Sequence, residues 1–60
     1  MYLFIAHYIN MDNNTESSKT IEFDGQFLDS ERECYMYAMF KAYELRESNE
    51  MFSSLEFIAS

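Results

Sequence analysis

The residues best suited to nucleophilic catalysis are one histidine, His7, and one cysteine, Cys34. A cysteine nucleophile needs a base within hydrogen-bond reach and donors that stabilise an oxyanion. No motif around either residue supplies such donors. We therefore expect a histidine near the end of a strand and a small buried thiol that packs as an apolar side chain. No catalytic residue is predicted, and the chain is expected not to be an enzyme.

Metal and phosphate binding have little support in the residue pattern. A zinc site needs three or four ligands, and the chain offers only one histidine and one cysteine besides its carboxylates. The acidic run from Asp12 to Glu16 lacks the central glycine and the distal glutamate of a calcium loop. Gly25 is the only glycine, which excludes a glycine-rich phosphate loop. We expect neither a metal nor a cofactor.

The chain is acidic, with eleven carboxylates against four lysines and arginines and a net charge of −7. This charge repels nucleic-acid backbones and anionic membranes, so direct binding to either is not expected. Most carboxylates are expected to form a solvated surface. An alternative is that some imitate nucleic-acid phosphates and block a DNA- or RNA-binding protein, as small acidic inhibitors from phages and other mobile elements do. The candidates are Asp29, Glu31, Glu33, Glu44, Glu47 and Glu50.

The length and composition predict a single folded domain over residues 1–60. A chain of this length buries only about 60% of its unfolded surface, which excludes a second core. Hydrophobic residues make up 48% of the chain, too many for a disordered protein. The lone cysteine fits a reducing compartment. The longest apolar run, Met1 to Ala6, is far below the roughly 20 residues of a membrane span, so we expect a cytoplasmic protein.

The β-branched residues divide the chain into strand-forming and helix-forming parts. Isoleucine and threonine lie only between residues 5 and 21 and at Ile58, and valine is absent. Because β-branching favours strands, the segment without such residues should contain the helix. Ser30 and Glu33 form a capping box that starts it. The predicted elements are strands over about 2–10, 20–24 and 55–59, a loop over 12–19, and a helix over about 30–48.

The element order predicts a small α+β domain with β-β-α-β topology. A hairpin followed by a crossover helix returns the last strand beside the first. The expected sheet is three-stranded and antiparallel, has the order 2-1-3, and carries one helix on one face. The first strand is apolar on both sides, which suits the central position. We expect Leu3, Ile5, His7 and Ile9 to face the helix.

The predicted helix is apolar on two sides, and one helix cannot bury both against one small sheet. Cys34, Ala38, Ala42 and Leu45 are expected to face the sheet. The opposite side of the helix and the uncovered sheet face are interface candidates. We therefore predict an interaction or regulatory module that self-associates or binds a protein; the alternative is ordinary exposed apolar surface. The candidates are Met36, Met39, Phe40 and Tyr43 on the helix, and Tyr2, Phe4, Tyr8 and Ile58 on the sheet.

Overall fold

The computed structural model describes the backbone of residues 1–60 and every side chain except that of Phe27. The three strands pair antiparallel in the order β2-β1-β3, and α1 packs on one face of this open sheet. The predicted α+β fold, strand order and single packed helix are confirmed. The elements are β1 (Tyr2–Asn10), β2 (Glu16–Phe23), a 3-10 turn (Gly25–Phe27), α1 (Glu31–Glu44) and β3 (Glu50–Ala59).

A short loop over residues 11–15 closes the β1–β2 hairpin. Asn14 has a left-handed backbone conformation, with φ of 59°, which asparagine adopts more readily than most residues. The Asn13 side-chain oxygen accepts hydrogen bonds from both the backbone N–H and the hydroxyl of Thr15. The loop predicted over 12–19 is therefore too long, because β2 begins at Glu16 and its polar first half pairs with β1.

The helix begins where its capping residues indicate and ends earlier than expected. The Ser30 hydroxyl accepts a hydrogen bond from Glu33 N–H at 3.2 Å, and the Glu33 carboxylate accepts one from Asp29 N–H at 2.8 Å. The helix ends at Glu44 rather than near residue 48. Residues 45–49 then lead into β3, which begins at Glu50 rather than near residue 55.

The core lies between α1 and the even-numbered residues of β1. Small side chains spaced four residues apart on α1 allow a close approach of the helix to the sheet. Leu45, expected in this core, is instead 42% exposed because it follows the last residue of α1. The buried apolar residues are Phe4, Ala6, Tyr8, Ile21, Cys34, Ala38 and Ala42.

The covered face of β1 is the reverse of the one expected. The prediction that Phe4 and Tyr8 lie on the uncovered face is wrong, since they are 3% and 0% exposed. Tyr2 shares their face, is half-buried, and stacks on Phe23. The hairpin register explains the reversal, because it pairs Tyr2 with Phe23 and Phe4 with Ile21. Paired residues share a face, so the apolar side of β2 determines which side of β1 is covered.

Two β-bulges in β3 alter the alternation of its side chains. Each inserts one residue relative to β1, at Ser53 and at Ile58. The bulge at Ser53 brings Phe52, Leu55 and Phe57 to the covered face, since they pair with the covered residues of β1. Ile58, predicted on the uncovered face, belongs to the second bulge and is 41% exposed.

Candidate functional site

The outward side of α1 presents an exposed apolar surface. Met36, Phe40 and Tyr43 are 58%, 64% and 57% exposed, and together they are termed the outer stripe. Their spacing of four and three residues places them on one face of the helix. Met39, the fourth candidate on the helix, lies beside them and is half-buried. Three of the four helix residues that the helical period predicts to be exposed are therefore exposed, and the fourth, Met39, is half-buried.

Charged residues stand at both ends of the outer stripe. Arg32 lies one turn before Met36, Glu47 follows the end of α1, and both are exposed. On the flank of the helix, Lys41 Nζ lies 3.2 Å from Glu44 Oε1. This hydrogen bond raises the pKa of Lys41 above its ordinary value. The stripe thus carries a cation at its N-terminal end and a carboxylate at its C-terminal end.

A cleft of about 200 Å³ opens between the N-terminal part of α1 and β3. Its lining includes Phe4, Tyr35 and Phe57. Tyr35 and Phe57 make edge contacts with Phe4 at centroid distances of 6.1 and 5.5 Å, and they remain 44% and 55% exposed. Small-molecule pockets usually enclose roughly 300–1,000 Å³. The cleft is closer in size to a socket for a single side chain.

Polar contacts attach the C-terminal end of α1 to the sheet. Lys19 Nζ donates to the Glu50 carboxylate and to the Leu45 carbonyl, both at 2.7 Å. The Tyr8 hydroxyl donates to the Ala42 carbonyl. The hydrogen bond from Lys19 lowers the pKa of Glu50, and burial raises the pKa of Tyr8. These contacts hold this end of the helix in place and leave the cleft at the other end.

The six acidic candidates do not form one continuous track. Three lie at or just before the N-terminus of α1 and two lie at or beyond its C-terminus, which is about 20 Å away for a helix of 14 residues. The prediction that Glu50 belongs to an acidic surface is wrong. Its side chain is buried because it bonds to Lys19 beneath the helix end. The exposed candidates are Asp29, Glu31, Glu33, Glu44 and Glu47.

The uncovered face of the sheet is a second apolar surface. Leu3, Ile5 and Ile9 lie there half-buried on β1, and Met51 of β3 pairs with Ile9 and is 50% exposed. These four residues are termed the sheet stripe. Leu3, Ile5 and Ile9 were expected to face the helix, because β1 is apolar on both sides and its own sequence does not distinguish the two faces. The signal that identifies the sheet stripe is the one-sided alternation of β2, combined with the hairpin register.

Carboxylates border the sheet stripe along both edges. On the β2 side, Glu22 pairs with Leu3 and Glu16 pairs with Ile9. On the β3 side, Glu56 pairs with Ile5. All three carboxylate residues are exposed. The uncovered face therefore has an apolar centre and an acidic rim.

His7 and Cys34 lie on opposite sides of the sheet. His7 shares a face with Ile5 and Ile9, as expected, but this face is the uncovered one, where its Nε2 lies 3.0 Å from Glu56 Oε1. Cys34 is buried on the helix side. The sheet thus separates the two groups that a cysteine–histidine pair would require. Among the side chains that the structure describes, no cluster of histidine, cysteine and carboxylate groups could hold a metal ion.

The arrangement of Cys34 is structural in character. Its Sγ would lie 3.1 Å from a Cβ atom placed on Gly25, so a larger residue at Gly25 would crowd the thiol. A hydrogen bond with Cys34 raises the pKa of the Tyr2 phenol. Cys34 therefore helps to pack the 3-10 turn and the start of β1 against α1.

Comparisons with protein-family models, with curated proteins and with solved structures find no match to this chain. Within the described part of the chain, no helix has the length and apolar character needed to span a bilayer.

Proposed function

We propose that the protein is a non-enzymatic interaction module that self-associates through the outer stripe. The observation that carries this proposal is the exposure of Met36, Phe40 and Tyr43, each more than half exposed on one helix face. Aromatic residues and methionine are enriched in the cores of protein interfaces, and large contiguous apolar patches are uncommon on monomers. A second copy of the chain would remove these side chains from water.

The charges at the ends of the stripe favour an antiparallel pairing of two α1 helices. A two-fold axis across the middle of α1 places Met36 of one copy beside Tyr43 of the other, with the two Phe40 side chains near the axis. Arg32 of each copy then approaches Glu47 of the other. The helix dipoles also oppose each other in this arrangement. Such an isologous contact is complete at two copies.

The outer stripe alone is too small for a stable dimer interface, so the interface must also cover the cleft between α1 and β3. At roughly 200 Å² for a fully exposed side chain of this size, the three residues of the outer stripe offer only about 350 Å². A stable interface buries about 800 Å² on each partner. Tyr35 and Phe57 extend the apolar surface from the helix across the cleft. We propose that a side chain of the second copy enters this cleft.

The double variant Phe40→Ser, Tyr43→Ser tests the proposal. Serine has nearly the helix propensity of phenylalanine and tyrosine, so α1 should persist. We expect the dissociation constant of the dimer to rise at least about hundredfold, because central aromatic residues carry much of the binding energy. Sedimentation equilibrium measures this change, and far-UV circular dichroism confirms that the variant is folded.

The matched control is Ile5→Thr, which alters the uncovered sheet face and retains a β-branched side chain. Its dimer should be as stable as that of the parent protein. A parent protein that stays monomeric at millimolar concentration would overturn the proposal. Unchanged dimerisation of the double variant would overturn it equally.

Acidic mimicry of a nucleic acid has less support, because Glu50 is buried and the remaining candidates lie at two separate ends of α1. Salt distinguishes the two functions. Association through the outer stripe should change little between low and high salt. Binding of an acidic mimic to a basic protein would weaken steeply as salt is added.

A further inference from the structure

We infer that the uncovered sheet face binds a cationic amphipathic helix of another protein. This inference concerns the sheet stripe, which lies across the sheet from α1, and it does not depend on self-association. It rests on three features of that face: its apolar centre, its length and the charge of its rim.

The sheet stripe has the dimensions of a surface that receives one helix. From Leu3 to Ile9, β1 extends by about 20 Å, which matches nearly four turns of α-helix. The other face of the same sheet already holds a helix of 14 residues. A second helix would complete a helix-sheet-helix arrangement, in which both faces of the sheet are buried.

The apolar centre of the stripe is continuous enough to seat an apolar helix face. Leu3, Ile5 and Ile9 lie on one side of the central strand, and Met51 widens the surface beside Ile9. His7 lies between Ile5 and Ile9, with its Nε2 held 3.0 Å from Glu56 Oε1 at the rim. Its polar ring atom is therefore directed away from the centre of the stripe.

The acidic rim identifies the charge of the occupant. Glu16 and Glu22 border one edge and Glu56 borders the other. A second copy of the chain would place carboxylates opposite carboxylates, which is unfavourable. A helix with lysine or arginine along both edges of its apolar face would instead pair with carboxylates on both sides.

The chain itself has no lysine or arginine on this face to offset such repulsion. The sequence contains four of these residues. Lys19 is directed toward Glu50 beneath the helix end, and Arg46 donates to the Glu50 carbonyl. Arg32 and Lys41 belong to α1. The cations for the rim must therefore come from a different protein.

The probe is a synthetic helical peptide of about 18 residues, with leucine along one face and lysine along both edges of that face. The control peptide has the same composition in shuffled order, which retains the charge and removes the amphipathic face. We expect calorimetry to show roughly tenfold tighter binding of the amphipathic peptide. In two-dimensional NMR spectra, amide shifts should change along β1 and its neighbours on the sheet.

Two variants separate the sheet stripe from the outer stripe. Ile5→Thr should weaken binding of the amphipathic peptide by roughly tenfold. Phe40→Ser with Tyr43→Ser should leave peptide binding unchanged, even though it disrupts the proposed dimer. Loss of peptide binding in the Phe40 and Tyr43 variant, with none in Ile5→Thr, would assign the peptide to the outer stripe and overturn the inference.

Two charge variants separate rim recognition from general attraction to an acidic protein. The rim triple, Glu16→Gln, Glu22→Gln and Glu56→Gln, should weaken binding roughly tenfold. The control triple removes three negative charges on the helix side and comprises Asp29→Asn, Glu31→Gln and Glu47→Gln. It should weaken peptide binding much less than the rim triple does. Equal losses in the two triples, or equal binding of the shuffled peptide, would overturn the inference.

Discussion

The two faces of the sheet differ less in their own hydrophobicity than in what surrounds them. β1 presents Phe4, Ala6 and Tyr8 on the covered face and Leu3 and Ile5 on the uncovered one, so both faces are apolar. The covered face meets small residues of α1 and the apolar side of β2, whereas the uncovered face is bordered by carboxylates. A face thus becomes a core when its neighbours complement it in size and polarity.

The sharpest test of this comparison replaces one residue on each face with alanine. Phe4→Ala should reduce the free energy of unfolding by about 3–5 kcal/mol, because it leaves a cavity in the core. Ile5→Ala should cost only about 1 kcal/mol, because Ile5 is only partly buried on the uncovered face. Urea denaturation measures both values. A greater loss at Ile5 than at Phe4 would reverse the assignment of the two faces.

The close contact of α1 with the sheet predicts a smaller loss of stability, which arises from overpacking rather than from a cavity. Ala38 is fully buried where the helix meets the sheet, so Ala38→Leu should overpack the core and lower stability by about 1–3 kcal/mol. The control is Phe40→Leu in the outer stripe, which should stay within about 0.5 kcal/mol of the parent in a monomeric sample. Similar stabilities for the two variants would mean that α1 does not sit closely on the sheet.

The polar attachment at the helix end predicts a dependence on pH. The pKa of Glu50 is lower in the folded chain than in the unfolded one, so the unfolded state binds more protons as the solution is acidified. The stabilisation is fully present above the ordinary carboxyl pKa of about 4.3 and is lost as pH falls through the folded value. Glu50→Gln should therefore be less stable than the parent near neutral pH and differ less in acid.

The control for this pH dependence is Glu16→Gln, which alters an exposed residue of β2 and should leave the parent's pH dependence largely intact. Thermal midpoints measured across pH 3–7 compare the three proteins. A difference between Glu50→Gln and the parent that grows in acid would contradict the assigned direction of the Glu50 pKa.

The fold and the helix were accessible from the sequence because local signals determine them. Ser30 and Glu33 mark the helix start, and the distribution of β-branched residues separates strands from helix. The outer stripe was accessible for a similar reason. Once Ala38 and Ala42 face the sheet, the helical period directs Phe40 away from it.

The features that the sequence did not reveal depend on contacts between distant segments. Lys19 and the serines before it have no strand-forming character, yet they pair with β1. Glu50 is a carboxylate in a polar stretch, and its contacts with Lys19 and Ser17, both distant in sequence, account for its burial. The face of β1 also could not be chosen from β1 alone, because it depends on a register that the loop over 11–15 sets.

Ser53 is one extra residue in β3, and it shifts the alternation of every side chain that follows it in the strand. Before it, even-numbered residues such as Phe52 lie on the covered face; after it, odd-numbered residues such as Leu55 and Phe57 do. If Ser53 instead paired with His7 in strict alternation, the downstream side chains of β3 would exchange faces. Glu56 would then be directed toward the core and Phe57 toward water. The face that each downstream side chain of β3 occupies therefore depends on a residue that itself has no partner on β1.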